Sequence, residues 1–374
     1  MSARRPQNRM FNRNAFKLGL FSPNCSGGMA ITKIPERWSA SWDDNRTLAR
    51  MADDAGIEFI LPIARWIGYG GDTDFQGSVL ETLTWAAGLL ASTEKVTVFS
   101  TVHTAFTHPI VAAKQCATID QIGHGRFGLN IVCGWNKPEY DMFGLPLPTE
   151  HGVRYAYGQE WWDIVRNVWT SERAFDYHGE YFNVQGVHGL PKPVGGSLPP
   201  ILNAASSGEG RDFAVRNVDF LFTVLVDLER GAQDVQGIKQ AARAAGRDVG
   251  VFTTSYVVCR PTEKEARDYH HWYAEENGDW EAVDRLMTLQ GLHAKSFPPD
   301  ALALFRTRFA GGHGVYPLIG TPDQIADEIE RIHGAGFAGS TVSFVDYVKE
   351  LPYFAEEVLP RLERKGLRLP VGQA

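Results

Sequence analysis

The feature that most constrains this chain is an alternation: eight short apolar runs, each answered by a stretch with helical spacing of its apolar residues. The run FKLGLF (16–21) is followed by helical periodicity over 43–55, and Gly56 lies where a helix C-cap belongs. EFILPI (58–63) precedes a helix over 78–91. VTVFSTV (96–102) is β-branched, as strands prefer, and precedes a helix over 109–122 with Pro109 suited to its first turn. FGLNIV (127–132) is followed by an aromatic-rich helix over 154–169. Further strands are read at 200–204, 220–223, 251–260 and 340–344, with helices ending at Asn217 and over 230–245, 261–273, 323–334 and 351–364. Such a rhythm requires right-handed crossovers and a parallel sheet. Eight strands in one series predict an α/β fold of the closed (β/α)8 TIM-barrel kind rather than an open doubly wound sheet. No G-x-G-x-x-G follows the first run, which argues against a dinucleotide fold.

The expected organisation is a flexible N-terminal segment over 1–15, a single barrel domain over 16–365 and a C-terminal tail over 366–374. Two insertions interrupt it, after the fourth and seventh strands. FDYHGEYFNVQGV (175–187) alternates and turns at Gly179, the pattern of a small hairpin. The stretch 279–317 breaks the rhythm and contains Phe297-Pro298-Pro299 and Gly311-Gly312-His313-Gly314. It reads as a lid-like insertion or as a solvated excursion.

Several function classes are disfavoured. The net charge of −7 comes without a basic run, so nucleic acid is not an expected partner. Cys25, Cys116, Cys133 and Cys259 form no C-x-x-C pair and read as free thiols in a reducing compartment. The N-terminus lacks the apolar core of a secretory signal, and no run is long enough to span a membrane, so a cytoplasmic location is expected. His103 and His108 lack a carboxylate pair, so no metal is expected, and no G-x-S-x-G elbow is present. A chain without these signatures borrows its chemistry from an organic cofactor.

In a barrel that chemistry sits at the C-terminal ends of the strands. Here those ends carry Ser22-Pro23-Asn24, Ala64-Arg65-Trp66, Thr101-Val102-His103-Thr104, Asn130 with Cys133-Gly134-Trp135, and Asn203. Ser206-Ser207-Gly208 precedes a helix, where hydroxyls and free N–H groups suit a phosphate or serve as a plain N-cap. Arg154 and Tyr155 open another helix at the same rim and could complete an anion clamp. His103 is a candidate for positioning substrate or moving a proton, since imidazole titrates near neutrality. Trp66, Phe106 and Trp135 are candidate apolar walls of a substrate pocket, and equally candidate core aromatics.

The segment GRFGLNIVCGWNKPEY (125–140), followed by DMFG, resembles bacterial luciferase-like flavin monooxygenases. Within them it is most similar to the pyrimidine monooxygenase branch of uracil catabolism, and less so to the dimethylsulfone monooxygenases. AAKQCATIDQIGHGRFG, ARWIGYGG, FDYHGEYF and IGTPDQIADEIERI add to the resemblance, which spans roughly 16–361. It is weakest over 279–317.

The resemblance implies a luciferase-like barrel that takes reduced FMN from a separate NAD(P)H-dependent flavin reductase. With O₂ it would oxidise a small heteroatom-containing molecule, such as a cyclic amide or heteroarene, by way of a flavin peroxide. It places Ala64 and Arg65 along the isoalloxazine edge, Asn130 and Glu139 against the ring or ribityl chain, and Arg154, Tyr155 and Ser207 on the phosphate. Arg65 stands where the pyrimidine branch has lysine, which keeps the charge and alters the geometry. Thr104 would donate a hydrogen bond to the bound oxygen, or serve simply as a turn residue. The family's non-proline cis peptide would fall near Val102 and His103. A homodimer or homotetramer is implied as well. Rival readings are a deazaflavin F420-dependent oxidoreductase on the same barrel, a non-catalytic flavin-binding barrel, and an unrelated barrel hydrolase.

Overall fold

The structure is a computed structural model that describes residues 8–205, 207–292 and 299–374. Its strands are β1 (Lys17–Phe21), β2 (Phe59–Leu61), β3 (Thr97–His103), β4 (Phe127–Val132), β5 (Phe175–His178), β6 (Asn183–Val187), β7 (Ile201–Ala204), β8 (Phe220–Phe222), β9 (Gly250–Cys259), β10 (Tyr316–Gly320) and β11 (Gly339–Ser343). Antiparallel β5 and β6 form the hairpin read in the sequence. In the main sheet the order runs β11-β1-β2-β3-β4-β7-β8, and β9 pairs with both β8 and β11, which closes an eight-stranded parallel barrel. β2, β3, β8 and β11 are buried along their whole length, as strands covered on both faces must be. β10 is an addition that the sequence reading missed. It runs parallel to the C-terminal half of β9, from Tyr316 opposite Ser255 to Gly320 opposite Cys259. Pro317 and Gly320 weaken its strand signature.

The helices are α1 (Trp42–Asp54), α2 (Thr82–Ser92), α3 (Pro109–Ile122), α4 (Lys137–Met142), α5 (His151–Thr170), α6 (Gly208–Asn217), α7 (Leu228–Ala244), α8 (Glu263–His270), α9 (Trp280–Leu289), α10 (Pro299–Gly312), α11 (Pro322–Gly334), α12 (Tyr347–Glu357) and α13 (Leu359–Arg364). Capping chemistry places several starts. Thr262 with Glu265 and Thr321 with Gln324 form reciprocal capping boxes ahead of α8 and α11. The stretch read as one closing helix is two, divided at Val358, with Pro360 in the first turn of α13. The 279–317 stretch carries α9 and α10, tied by Arg306, whose guanidinium meets both Asp284 oxygens at 2.8 and 2.9 Å. Among the described residues no helix is long and apolar enough to cross a membrane.

The chain packs as two compact units. The first comprises Met1–Asn12, Thr82–Thr223 and Gly237–Val251. In it β4 lies between β3 and β7, with Asn130 level with Thr101 and Leu202. Trp161 and Trp169 of α5 are buried and donate to Thr107 O at 2.7 Å and Ala113 O at 2.9 Å, which fixes α5 against α3. Glu160 on α5 holds the hairpin turn by accepting the backbone N–H groups of Glu180, Tyr181 and Phe182. Gly179 leaves room for that carboxylate, with which a Cβ would collide. The second unit comprises Arg13–Glu81, Val224–Gln236 and Phe252–Ala374, and contains β1, β2 and β11. There Gly19 faces the Phe59 ring, and any side chain on β1 at that point would strike it.

Described residues near both ends of the sequence are packed. In the first unit Asn8 is buried; its oxygen accepts from Thr97 Oγ1 at 2.8 Å and Met10 N at 3.0 Å, and its amide donates to Gly125 O. In the second unit Arg368, 4% exposed, reaches fully buried Glu58 at 2.6 Å. The Glu58 carboxylate also accepts from Leu18 N at 2.8 Å and Asn14 Nδ2 at 2.5 Å, while Leu369 N donates to Asn14 Oδ1 at 2.7 Å. A buried carboxylate persists only when so partnered, and this requirement anchors both terminal segments. Glu58→Gln leaves the Arg368 charge buried without its counter-ion. It is expected to lower the unfolding free energy by about 3 kcal/mol, read as a lower urea midpoint at unchanged slope.

Candidate active site

In the first unit the ends of β3, β4 and β7 present a buried polar layer. Asn130 Nδ2 donates to Thr101 Oγ1 at 3.0 Å, and Asn203 Nδ2 donates to Ile131 O at 2.7 Å. Among the described residues, the buried atoms Asn130 Oδ1, Asn203 Oδ1 and Thr104 Oγ1 have no hydrogen-bond partner. Buried polar atoms are rarely left so; Asn130 shares a face of the sheet with Thr101, whereas Asn203, level with Ile131, lies on the other face. His103 follows as the last residue of β3, 6% exposed, its ring stacked on Phe106 at 5.1 Å. Phe106 in turn stacks on Phe143 at 4.3 Å and meets the edge of Tyr140 at 5.0 Å. Leu190–Pro191 is the cis peptide bond of the described residues, so Val102 and His103 are joined by a trans bond.

The loop after β4 is shaped by Gly134. Its φ of +91° suits glycine, and a Cβ there would collide with the Tyr140 hydroxyl, which donates to Cys133 O at 3.3 Å. Glu139, in the first turn of α4, is fully buried. Burial pushes the Cys133 thiol up to about 12, so it is a packing thiol and not a thiolate nucleophile.

Arg154, Tyr155 and Ser207 come together in the same unit. Ser207 caps α6, its Oγ accepting from Gly210 N at 3.1 Å, and it shares a hydrogen bond with the Tyr155 hydroxyl. A Cβ on Gly210 would collide with that hydroxyl, whereas Gly208 opens onto free space. Burial, with the nearby Cys133 acting in the same direction, pushes the phenol up to about 12, and the Ser207 bond and Arg154 only partly oppose it. Tyr155 is therefore a protonated donor at neutral pH. Arg154, 9% exposed, donates to Pro148 O at 3.1 Å and borders a cavity of about 240 Å³ with Cys133, Tyr140, Tyr157 and Tyr181. A buried guanidinium, a phenol, a serine hydroxyl and the open N-terminus of a ten-residue helix form a donor set suited to a phosphate monoester. Ser206 lies outside the described residues.

In the second unit, Ala64, Arg65 and Trp66 follow β2. Ala64 is half-buried, and Arg65 is 9% exposed with its guanidinium 4.8 Å from the centre of the Tyr69 ring. The strand ends are set by Asn24, whose amide donates to Ile63 O and Leu80 O and whose oxygen accepts from Ile63 N. Of the three rings read as candidate walls, Phe106 is packed in a ring cluster, while Trp66 and Trp135 are 45% and 37% exposed. Among the described residues no cluster of three metal-ligating side chains exists. The sequence reading assigned no role to Asn203, Tyr140 or Tyr69. Asn203 was visible as the polar end of PILNA, whereas Tyr140 and Tyr69 gain meaning only from their three-dimensional neighbours.

The family model of luciferase-like monooxygenases matches residues 16–339. The chain belongs to the luciferase-like monooxygenases. An FMNH₂-dependent dimethylsulfone monooxygenase of Pseudomonas putida is 34% identical over 92% of this chain and 94% of its own. The pyrimidine monooxygenase RutA of Acinetobacter baylyi is 30% identical over 92% of this chain and 94% of its own. Both branches named from the 125–140 segment are thus represented across nearly the full length. The barrel also superposes on a riboflavin lyase crystallised with modified FMN and riboflavin (TM-score 0.84, 23% identity, 94% of this chain and 92% of that one). Long-chain alkane monooxygenase LadA gives a TM-score of 0.83 at 20% identity, over 96% and 93% of the two chains. At those identities the superpositions speak for the fold alone.

Two histidines of this luciferase-like chain carry a pH signature. Burial pushes His270 down to about 4, and burial reinforced by Arg65 pushes His313 down to about 3. Both are neutral in the folded state, whereas in the unfolded chain they protonate below about pH 6.5. Their contribution is therefore complete above that value and is lost as the pH falls toward 4. Between pH 7.5 and 5.5 the unfolding free energy is expected to drop by about 1 kcal/mol for each histidine, and a His270→Gln/His313→Asn double variant is expected to flatten that slope in urea titrations.

Proposed function

We propose that this chain is the oxygenase of a two-component system. It takes reduced FMN from a separate NAD(P)H-dependent flavin reductase, together with O₂, and oxidises a small heteroatom-containing molecule such as a cyclic amide or heteroarene. The observation that carries the reading is the anion clamp of Arg154, Tyr155 and Ser207 in the same unit as the open polar atoms of Thr104, Asn130 and Asn203. The FMNH₂ dependence in the name of the dimethylsulfone relative supports it.

When bound, reduced flavin would supply the two electrons that activate O₂ for transfer of one of its oxygen atoms to substrate, the other leaving as water. The chain's own residues bind, orient and shield. Arg154, Tyr155 and Ser207 hold the phosphate, and Asn130 and Glu139 take the ring or ribityl chain. Ala64 and Arg65 are assigned to the ring edge by the same resemblance. Thr104 donates a hydrogen bond to the reacting oxygen, and His103 positions substrate or moves a proton. The stacked rings of Phe106, Tyr140 and Phe143 keep water away, which protects a reactive oxygen from unproductive release.

FMN is expected to bind far more tightly than riboflavin, which lacks the phosphate. Tyr155→Phe should weaken FMN about tenfold and Arg154→Ala about a hundredfold, with riboflavin affinity unchanged, as read by flavin fluorescence under anaerobic reduction. Equal binding of FMN and riboflavin by the wild type would remove the clamp. With a generic reductase, NADH and ¹⁸O₂, products are expected to gain one labelled oxygen; oxygen-independent turnover with F420 would replace the monooxygenase reading with a hydride-transfer one.

A further inference from the structure

The loops after β1 and β2 enclose a cavity of about 300 Å³ that the proposed chemistry leaves unused, and all of its walls belong to the second unit. That volume is at the lower end for small-molecule sites, enough for one ring and a substituent. Trp38 and Phe75, 3% and 2% exposed, give it aromatic walls, and Ala30 and Pro35 add apolar surface. These walls are fixed from behind. Trp38 Nε1 donates to Pro23 O at 2.7 Å, and Trp38 N donates to Val345 O at 3.0 Å. Gly27 N donates to Trp38 O at 2.8 Å, and a Cβ on Gly27 would strike the Phe75 ring. Buried Asp279 accepts from Thr73 N at 2.8 Å and from Thr73 Oγ1 at 2.7 Å. Ala40 and Asp74, each next to a wall residue, are left-handed at φ +59° and +44°. Such conformations persist only where the surroundings over-determine them.

The polar groups of the cavity are few. Arg37 is the one charged residue among its walls; Glu36, its neighbour in sequence, is not part of them. The half-buried Arg37 side chain makes a single hydrogen bond, from Nη1 to Ile34 O at 3.2 Å, and pairs with no carboxylate among the described residues. The hydroxyls of Thr32, Ser39 and Thr73 are committed to Tyr273 O, Asp44 and Asp279. Ser26 Oγ accepts from Ser78 N at 3.2 Å and keeps its own proton to donate. The remaining donors are therefore a guanidinium and one hydroxyl, beside two aromatic side chains. The planar fork of a guanidinium matches a carboxylate. One positive charge suits that single negative charge, whereas a phosphate dianion would ask for more donors than these.

We infer that this cavity is a binding site for a small aromatic carboxylate, its ring held by the apolar walls and its charge by Arg37 and Ser26. The site shares no residue with the clamp of Arg154, Tyr155 and Ser207, and it stands whether or not the chain binds FMN. Phe75 stacks on Tyr69 at 5.9 Å, and Tyr69 in turn carries the Arg65 guanidinium at 4.8 Å. Arg65 is therefore two rings removed and not a wall of the cavity. The cavity is a second site, additional to the one proposed for the reaction.

Saturation-transfer NMR on the full chain without flavin compares benzoate with benzamide, its neutral isostere, and with acetate, which lacks the ring. Benzoate is expected to bind about fivefold more tightly than benzamide, the size of a charge contact at a half-exposed arginine, and more tightly than acetate. Arg37→Gln should bring benzoate down to the affinity of benzamide and leave benzamide unchanged. Arg37→Met removes the same charge and should do the same, so one of the two serves if the other fails to fold. Arg154→Ala tests the flavin clamp as an alternative place for the carboxylate and should leave benzoate binding intact. The assignment is overturned by a wild type that does not prefer benzoate to benzamide, or that binds acetate as tightly as benzoate. Persistence of the preference in a folded Arg37 variant, or its loss in folded Arg154→Ala, overturns it equally.

Discussion

A polar side chain at the end of a closed, buried strand has no water to turn to. It must find another chain atom or a ligand, and this one requirement organises the molecule. Where the chain supplies the partner, the result is rigidity: Asn24 bridges Ile63 and Leu80, and Thr82 Oγ1 donates to Thr101 O at 2.7 Å. Where it does not, as at Thr104, Asn130 and Asn203, the strand ends keep an open valence.

The proposed anion clamp would turn ordinary helix chemistry into recognition. Ser207 is first of all a cap, and Gly210 is first of all a residue too small to push Tyr155 away. Together they bring a phenol to a helix N-terminus whose leading glycine leaves space in front of it. Arg154, one residue from Tyr155 on α5, brings a buried positive charge to the same rim without an acidic partner among the described ion pairs. In the proposed reading the same short stretch serves structure and binding at once.

Much of this was legible in the sequence, and the limits have physical reasons. All eight barrel strands were readable because parallel strands covered on both faces are continuous apolar runs. The capping place of Ser207 was readable because a serine before a helix is a local signal. β10 was not, since Pro317 and Gly320 mask it. The packed ends were not, because Glu58 becomes meaningful only when Asn14 and Arg368 arrive from opposite termini.

The Arg368–Glu58 pair has a consequence for how the chain is made. β1 and β2 emerge from the ribosome early, with the carboxylate of Glu58 already committed to the space between them. Its counter-ion lies 310 residues downstream, and β11, the other neighbour of β1, follows long after as well. The early half of this unit must therefore wait, incompletely neutralised, until the segment carrying Arg368 leaves the exit tunnel. Loss of the segment that carries Arg368 would leave the Glu58 charge stranded in the core.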